Sequence, residues 1–221
     1  MLPSLFFTLT VLIALALFYH IVPSIKVTLA LVFWSALQCI LAYSGHYSSP
    51  EIFPPRLIVL GVAPSMLILV IALLIKRSRQ QLLQAELRQL TLFSSIRVPI
   101  EISLYFLYRM ALVPKEMTFE GNNLDIVSGL TALALYFTAF HSTPPKKWLL
   151  LLWNLVCLAL LVNIVATAVM AFPSPLQRIA FEQPNVAVTM VPYVLLPTLL
   201  VPLVLFTHIV AIIQLLRLKK G

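Results

Sequence analysis

The chain alternates long runs of apolar residues with short polar segments, a pattern typical of multi-pass membrane proteins. Seven runs approach the ~20 apolar residues that a membrane-spanning helix needs. Their limits are Leu5–Val22, Lys26–Ser44, Leu57–Ile75, Ser94–Val113, Leu124–His141, Trp148–Phe172 and Val191–Leu216. Prolines stand at most junctions between the runs, where they end helices. The pattern predicts an all-α fold in which seven transmembrane helices form one domain over residues 1–221.

Composition excludes the common classes of soluble protein. The 221 residues are 61% hydrophobic and only 10% charged, and the mean hydropathy is +1.02, whereas ordinary domains are about 25% charged. The two cysteines, Cys39 and Cys157, lie inside apolar runs and are predicted to be small core residues. No basic residue precedes the first run and no small-residue cleavage site follows it. We therefore expect a retained helix there and not a signal peptide.

The net charge of +8 comes from basic residues that lie between the apolar runs. Their distribution therefore predicts the orientation of the chain in the bilayer. With the C-terminal tail in the cytoplasm, the inner segments hold ten basic residues and the outer segments three. The inner ten are Lys26, Lys76, Arg77, Arg79, Arg88, Lys146, Lys147, Arg217, Lys219 and Lys220, and the outer three are Arg56, Lys115 and Arg178. Because cytoplasmic loops carry the excess of Lys and Arg, the N-terminus is predicted outside the cell. Nucleic acid is not an expected partner.

The segment 76–93 is amphipathic at helical spacing, with Leu83, Leu87 and Leu90 on one face. It is predicted to be cytoplasmic. It either extends the third helix or lies flat on the inner leaflet.

The fourth run carries a polar stripe. Arg97, Glu101, Tyr105 and Tyr108 fall within an arc of about 80° at ~3.6 residues per turn, and ionisable groups at membrane depth mark functional sites. One interpretation is a wall that binds a ligand or relays protons, with Glu101 as the titrating group and Arg97 as its partner. The other is a pair at i,i+4 that neutralises itself, with Arg97 reaching towards the inner surface.

Further polar groups lie near the predicted outer ends of the helices. Glu120, Asn122, Asp125 and Glu182 are predicted to form the outer mouth of such a site.

The histidines support an alternative. His20, His141 and His208 all lie towards the predicted cytoplasmic side, where converging histidines could ligate a haem iron or a metal ion. The three would have to come from separate helices, because none forms a local H-x-x-x-H pair. No metal or cofactor belongs to the leading interpretation.

Polar and proline residues in the last two runs predict hydrogen bonds between helices. Asn154 and Asn163 lie on opposite helix faces, and at least one should make an interhelical hydrogen bond. Pro197 and Pro202 lack an amide hydrogen, so they free the carbonyls of Tyr193 and Thr198, four residues earlier. Freed carbonyls can line an ion or substrate path.

Catalytic signatures are missing from the sequence. G-x-S-x-G, Walker A, H-E-x-x-H and dinucleotide glycine patterns do not occur. Asp125 is the sole aspartate, which excludes a paired aspartyl protease, and the last run has no lysine for a retinal Schiff base. We expect a protein that is not an enzyme.

Two stretches carry a resemblance to a known family. Arg97-Val98-Pro99-Ile100-Glu101 and Phe119-Glu120-Gly121-Asn122-Asn123-Leu124-Asp125-Ile126 resemble segments of an uncharacterised bacterial multi-pass membrane family. The likeness extends over the second half of the chain. It implies a bacterial inner membrane, and it implies no activity, cofactor or catalytic residue.

The sequence thus favours a protein that binds or translocates a small solute or ion through a polar cavity within the bilayer. Its expected partners are the lipid bilayer and that solute. The alternatives are a haem- or metal-binding redox protein and a noncatalytic accessory or scaffold subunit.

Overall fold

The structure is a computed structural model that describes residues 2–49, 52–142 and 147–217, without the side chains of Ala139, His141 and Ser142. Most of the predicted basic turn at 144–147 and the basic residues of the tail after Arg217 lie outside the described residues. Within the described ranges the chain forms nine α-helices and no strand. They are α1 (Leu2–Ile21), α2 (Ile25–Tyr43), α3 (Ala63–Leu74), α4 (Lys76–Leu82), α5 (Leu87–Phe93), α6 (Arg97–Arg109), α7 (Asp125–Ser142), α8 (Lys147–Ala171) and α9 (Val201–Arg217). The predicted all-α class is confirmed for this part of the chain.

Several helices have the length and composition of membrane spans. Five described segments qualify: α1, α2, α8, the segment Leu87–Arg109 that joins α5 to α6, and the segment Leu196–Arg217 that contains α9. The segment Ile58–Leu74 together with α4 makes a sixth if this bent pair counts as one span. A shorter apolar stretch, Asp125–Thr138, lies in α7. These findings fit a helical membrane protein.

The predicted amphipathic segment 76–93 is divided between two helices. The chain bends by 92° between α3 and α4, at Ile75, whose backbone is extended. The next helix, α5, passes through the 3₁₀ turn Ser94–Ile96 directly into α6. The candidate span that corresponds to the fourth predicted run therefore begins at Leu87, seven residues before the predicted start at Ser94.

The helices differ sharply in burial, which separates the centre of the bundle from its edge. In the most apolar 18-residue stretch, 61% of the residues are buried in Leu87–Arg109 and in Leu196–Arg217, against 11% in α2. α9 packs against α8, α5 and α3, while α7 packs against α6, α8 and α5. α1 covers α5 and α6, and α2 contacts α1 and the turn before α9.

Two π-helical turns approach each other beneath α2. One, Ile58–Val62, leads into α3, and the other, Leu196–Leu200, leads into α9. A Cβ atom at Gly61 would lie 2.6 Å from the Cγ2 atom of Thr198 and 3.1 Å from Oε1 of Gln38. Only glycine, which has no side chain, allows this approach without a shift of these neighbours.

Donors within the protein satisfy the Thr198 and Tyr193 carbonyls, to which the prolines cannot donate. Pro202 has no amide hydrogen for the Thr198 carbonyl, and that carbonyl accepts from Trp34 Nε1 at 3.0 Å and from Ser65 Oγ at 2.9 Å. The Tyr193 carbonyl accepts from the amide of Leu196 at 2.9 Å. Both carbonyls that the sequence predicts to be freed therefore have donors within the protein. Backbone carbonyls in an apolar environment need such donors, because no water is there to replace them.

Gln38 serves the same purpose at the first π-helical turn. Pro64 cannot donate to the Leu60 carbonyl, and this carbonyl accepts from Gln38 Nε2 at 3.2 Å. Tyr47 then donates its hydroxyl to Gln38 Oε1 at 2.6 Å. Burial raises the pKa of Tyr47 to about 12, so this phenol stays protonated and able to donate at neutral pH.

These bonds predict that α2 depends on Gln38 and Trp34. Gln38→Leu removes two hydrogen bonds and Trp34→Phe removes one, and each is worth about 1 kcal/mol. We expect Gln38→Leu to lower the free energy of unfolding by roughly twice as much as Trp34→Phe. Unfolding followed by circular dichroism in mixed micelles measures both. Phe33→Leu, at an α2 side chain that is 71% exposed, is the control, and an equal loss in this variant would contradict the prediction.

Candidate functional site

The four residues of the predicted polar stripe separate into two groups. Arg97 and Glu101 are buried, with only 2% and 1% of their surfaces exposed. Tyr105 is half-buried and stacks on Phe119 with ring centroids 5.2 Å apart, and Tyr108 packs against the apolar core. Arg97 and Glu101 thus belong to a buried polar cluster, whereas the described contacts of the two tyrosines are aromatic or apolar.

Arg97 joins four helices. Its Nη1 atom donates to Asp125 Oδ1 of α7 at 3.1 Å and to the carbonyl of Cys157 in α8 at 3.0 Å. Its Nη2 atom lies 3.2 Å from Nε2 of His208 in α9. The salt bridge of Arg97 is made to Asp125 and not to Glu101, the partner that the i,i+4 spacing predicts.

Close packing of α7 on α6 explains this change of partner. A Cβ atom at Gly129 would lie 2.7 Å from Cγ2 of Val98 and 3.0 Å from its amide nitrogen. Gly129 therefore allows the first turns of α7 and α6 to touch. Asp125, one helical turn before Gly129, comes to lie beside Arg97 and is 5% exposed. It belongs to the buried cluster and not to the outer mouth that the sequence predicts for it.

The contacts of His208 fix its tautomer. An arginine has no acceptor, so Nε2 of His208 accepts from Arg97 and carries no hydrogen. Nδ1 then holds the hydrogen and donates to Asn154 Oδ1 at 2.8 Å, while Asn154 Nδ2 donates to the Leu150 carbonyl at 2.8 Å. The imidazole is neutral in this arrangement. The interhelical hydrogen bond that the sequence predicts for Asn154 or Asn163 is confirmed for Asn154.

Only one of the two carboxyl oxygens of Glu101 has a hydrogen-bond partner. Its Oε1 atom accepts a hydrogen bond from Asn123 Nδ2, which also donates to the Met117 carbonyl at 3.0 Å. Asn123 Oδ1 accepts from the amide of Asp125 at 3.1 Å, so one asparagine connects both acids. The other carboxyl oxygen, Oε2, is buried and has no hydrogen-bond partner.

The charges of the cluster do not balance. Arg97 carries a permanent positive charge, which the Asp125 carboxylate neutralises at 3.1 Å. His208 is neutral. Glu101 is therefore a surplus acidic group, and a buried charge without a counter-charge is costly. A proton or a cation at Glu101 would restore neutrality.

The remaining predicted mouth residues lie at the surface. Glu120, Asn122 and Glu182 are exposed, and the carbonyl of Asn122 accepts from Asn163 Nδ2 at 3.2 Å. The loop of Glu120 and Asn122 continues into Asn123, the partner of Glu101. The exposed loop of Glu120 and Asn122 is thus connected to the buried cluster through Asn123.

The histidines of the alternative interpretation do not meet among the described side chains. His20 is exposed at the end of α1, and both ring nitrogens of His208 lie within hydrogen-bond distance of protein atoms. The side chain of His141 lies outside the described residues. No group of three or more His, Cys, Asp or Glu side chains suited to a metal ion occurs in the part that the structure describes.

Sequence reasoning missed three members of the cluster: Asn123, the carbonyl of Cys157, and His208 as a partner of Arg97. The available signal was Asp125, the only aspartate of the chain, four residues before Gly129. A glycine in an apolar helix permits a close helix contact, and here the charged Asp125 stands one turn before it.

The cluster predicts strong coupling between Arg97 and Asp125. Arg97→Met leaves the Asp125 charge buried and unpaired, so we expect a loss of about 3–5 kcal/mol in the free energy of unfolding. Asp125→Asn should also lower the free energy of unfolding, because it leaves the Arg97 charge buried without a counter-charge. The double variant should lose clearly less than the sum of the two. Denaturant titration in mixed micelles measures the free energy of unfolding of all four proteins in this double-mutant cycle. Arg109→Met, at an exposed arginine, is the control. Losses that simply add would contradict the coupling.

Comparison with known proteins gives one match. A model of the family described as "Domain of unknown function (DUF8737)" matches residues 54–216, which is 163 of the 221 residues. No curated protein and no solved structure matches the chain. The match fits the uncharacterised family that the sequence resembles, while the bacterial origin stays a prediction. The chain belongs to the DUF8737 family.

Proposed function

We propose that this chain is a noncatalytic seven-span membrane protein that binds a small cation or a proton at Glu101. The observation that carries the proposal is the buried surplus carboxyl group, whose Oε2 atom has no partner. Such a group is expensive at membrane depth and is by default a functional candidate. The proposal keeps the solute- or ion-binding interpretation and assigns it to Glu101.

The surroundings of Glu101 favour a small positive ligand. Arg97 on α6 is already paired with Asp125 on α7, and His208 on α9 is neutral, so one positive charge stands against the two acids Asp125 and Glu101. Asn123 holds one carboxyl oxygen and leaves the other free. A proton or a cation bound at Oε2 would complete the site and leave the hydrogen bond between Oε1 and Asn123 in place.

Access from the outer loops follows from the position of Asn123. This residue ends the loop that carries Glu120 and Asn122, both exposed. Glu120 and Glu182 lie on predicted outer loops that also carry the exposed cations Lys115 and Arg178, so charge gives no preference for this side. We infer that the ligand enters here because Asn123 joins the exposed loop directly to Glu101.

Seven spans and an outer N-terminus follow if α7 crosses the bilayer. Its 18 residues give about 27 Å at 1.5 Å per residue, close to a hydrocarbon thickness of ~30 Å. Added to the five long spans and the bent pair, α7 makes seven. The basic helix α4 and Lys147 then share the cytoplasmic side, and we infer the plasma membrane, in a bacterium the inner membrane.

Infrared difference spectroscopy of the protein in liposomes tests the role of Glu101. A pH step should reveal the C=O band of a protonated carboxyl group, and addition of Na⁺ or K⁺ at fixed pH should diminish this band if a cation competes with the proton. Glu101→Gln should lose this band. A pH-sensitive dye inside the vesicles reports whether binding leads to flux.

Two exposed acids provide matched controls. Glu120→Gln and Glu182→Gln remove a carboxyl group from the surface, and the band should persist in both. If Glu101→Gln retains the band and the flux of the unchanged protein, Glu101 binds nothing, and the accessory or scaffold interpretation takes its place.

Cysteine accessibility tests the topology. In a background with Cys39→Ala and Cys157→Ala, single cysteines at Glu120 and Glu182 should react with an impermeant maleimide in intact cells. A cysteine at Gln80, exposed on α4, should react only after the membrane is permeabilised. Labelling of Gln80 and Glu120 from the same side would remove Leu87–Arg109 as a span.

A further inference from the structure

The loop between α6 and α7 lies beside α8, well before the outer end of that helix. Asn163 of α8 donates from Nδ2 to the carbonyl of Asn122 in this loop at 3.2 Å. Between Lys147, where α8 begins, and Asn163 the helix rises about 24 Å at 1.5 Å per residue. The hydrocarbon of a bilayer is ~30 Å thick, so a helix that enters it at Lys147 is still inside it at Asn163.

Contacts at the outer end of the bundle give the same depth. The carbonyl of Leu112, just after α6, accepts from the amide of Val186 at 3.0 Å. The carbonyl of Ala171, the last residue of α8, accepts from the neighbouring amide of Asn185 at 2.9 Å. Leu112 and Ala171 therefore lie at one level, and Asn163 lies about 12 Å below it along α8. The loop descends by this distance into the bundle.

The helix that follows the loop begins near the middle of the bundle. Asp125, the first residue of α7, forms its salt bridge with Arg97 at 3.1 Å. Arg97 stands near the centre of the candidate span Leu87–Arg109. In the proposed topology the loop therefore makes the outer part of this crossing and α7 makes the inner part, and the number of crossings is unchanged.

Polar side chains are exposed at this depth. Glu120, Asn122 and Asn163 are all exposed, whereas their neighbours on the surface of α8 are apolar. Val162 is 60% exposed, and Met170, nearer the outer end, is 37% exposed. Irregular backbone at membrane depth is tolerated where protein buries it or where it lines a water-filled cavity. Protein does not bury these three side chains, so the second condition applies to them.

We propose that Glu120, Asn122 and Asn163 line a water-filled recess in the outer half of the bilayer, the outer vestibule. Water can hydrogen-bond to their amide and carboxyl groups, whereas lipid tails would leave these groups unpaired at a cost. The vestibule leads a proton or a small cation to Glu101, because Asn123 follows Asn122 in the chain and donates to Glu101 Oε1. Its role as an entry path rests on the proposed function of Glu101, while its hydration does not.

Spin labels on single cysteines distinguish water from lipid at this depth. In the background with Cys39→Ala and Cys157→Ala, Asn163→Cys and Val162→Cys place a nitroxide on adjacent residues of α8. The two labels share one depth but lie on different faces, because successive helical residues are about 100° apart. Glu182→Cys, at an exposed loop residue, is the reference for bulk water.

In liposomes, we expect the Asn163 label to collide with the water-soluble relaxation agent nickel ethylenediaminediacetate nearly as often as the Glu182 label. The Val162 label should collide mainly with oxygen, which concentrates in hydrocarbon. The ratio of nickel to oxygen collisions should therefore be several-fold higher at Asn163 than at Val162. Asn122→Cys keeps the carbonyl that Asn163 contacts, so it provides the same measurement if Asn163→Cys disturbs the loop.

Two results would overturn the outer vestibule. Equal collision ratios at Asn163 and Val162 would mean that lipid reaches both faces of α8. Labels at Asn122 and Asn163 that collide with neither agent would mean that a partner protein or a second copy of the chain covers this surface.

A bulky maleimide tests the vestibule as an entry path. Attached to Asn163→Cys, it should slow the appearance of the Glu101 C=O band after a pH step several-fold, whereas the same adduct on Val162→Cys should leave the rate unchanged. An unchanged rate with the Asn163 adduct would refute the entry path. The collision ratios should be the same in Glu101→Gln, so a Glu101 that binds no proton abolishes the band without changing them. Failure of the proposed function is thereby distinguished from failure of the vestibule.

Discussion

The fold depends on a permanent positive charge held at the junction of four helices. Arg97 is almost fully buried, so its charge must be balanced by protein groups. Asp125 neutralises it, while the Cys157 carbonyl and His208 take further hydrogens. Each partner comes from a different helix, so α6, α7, α8 and α9 must hold one relative arrangement for the charge to be tolerated. The neutral tautomer of His208 is a consequence of the same requirement.

Hydrophobic runs were sufficient to predict the helical class and the five described segments that are long and apolar enough to cross a membrane. A run of ~20 apolar residues has few alternatives in a bilayer. The start of the fourth span at Leu87 was hidden, because Leu87–Phe93 reads as amphipathic and continues into α6 only through tertiary contacts. Prolines marked Thr198 as a freed carbonyl. Its donors Trp34 and Ser65 lie 164 and 133 residues away in sequence, beyond the reach of any local pattern.

The sequence was sufficient to predict that Arg97 and Glu101 of α6 belong to the candidate site. It did not predict which groups they pair with. Arg97 and Glu101 stood out because charge is rare in apolar runs. Their i,i+4 spacing then predicted that Arg97 and Glu101 would pair with each other, because a sequence shows only local geometry directly. Asp125 competes from 28 residues away, and only the close contact at Gly129 brings it near. Arg97 pairs with Asp125 where the spacing predicted Glu101. Glu101 is therefore left as the surplus acid on which the proposed function rests.

α9 has two faces with different surroundings. At ~3.6 residues per turn, Pro202, Leu203 and Phe206, which line an apolar groove between α1, α2, α3 and α9, lie roughly 120–160° around the helix from His208. One face thus borders the groove, and the other contacts Asn154 and Arg97. α9 is a single helix after its π-helical turn, so both faces belong to one continuous element.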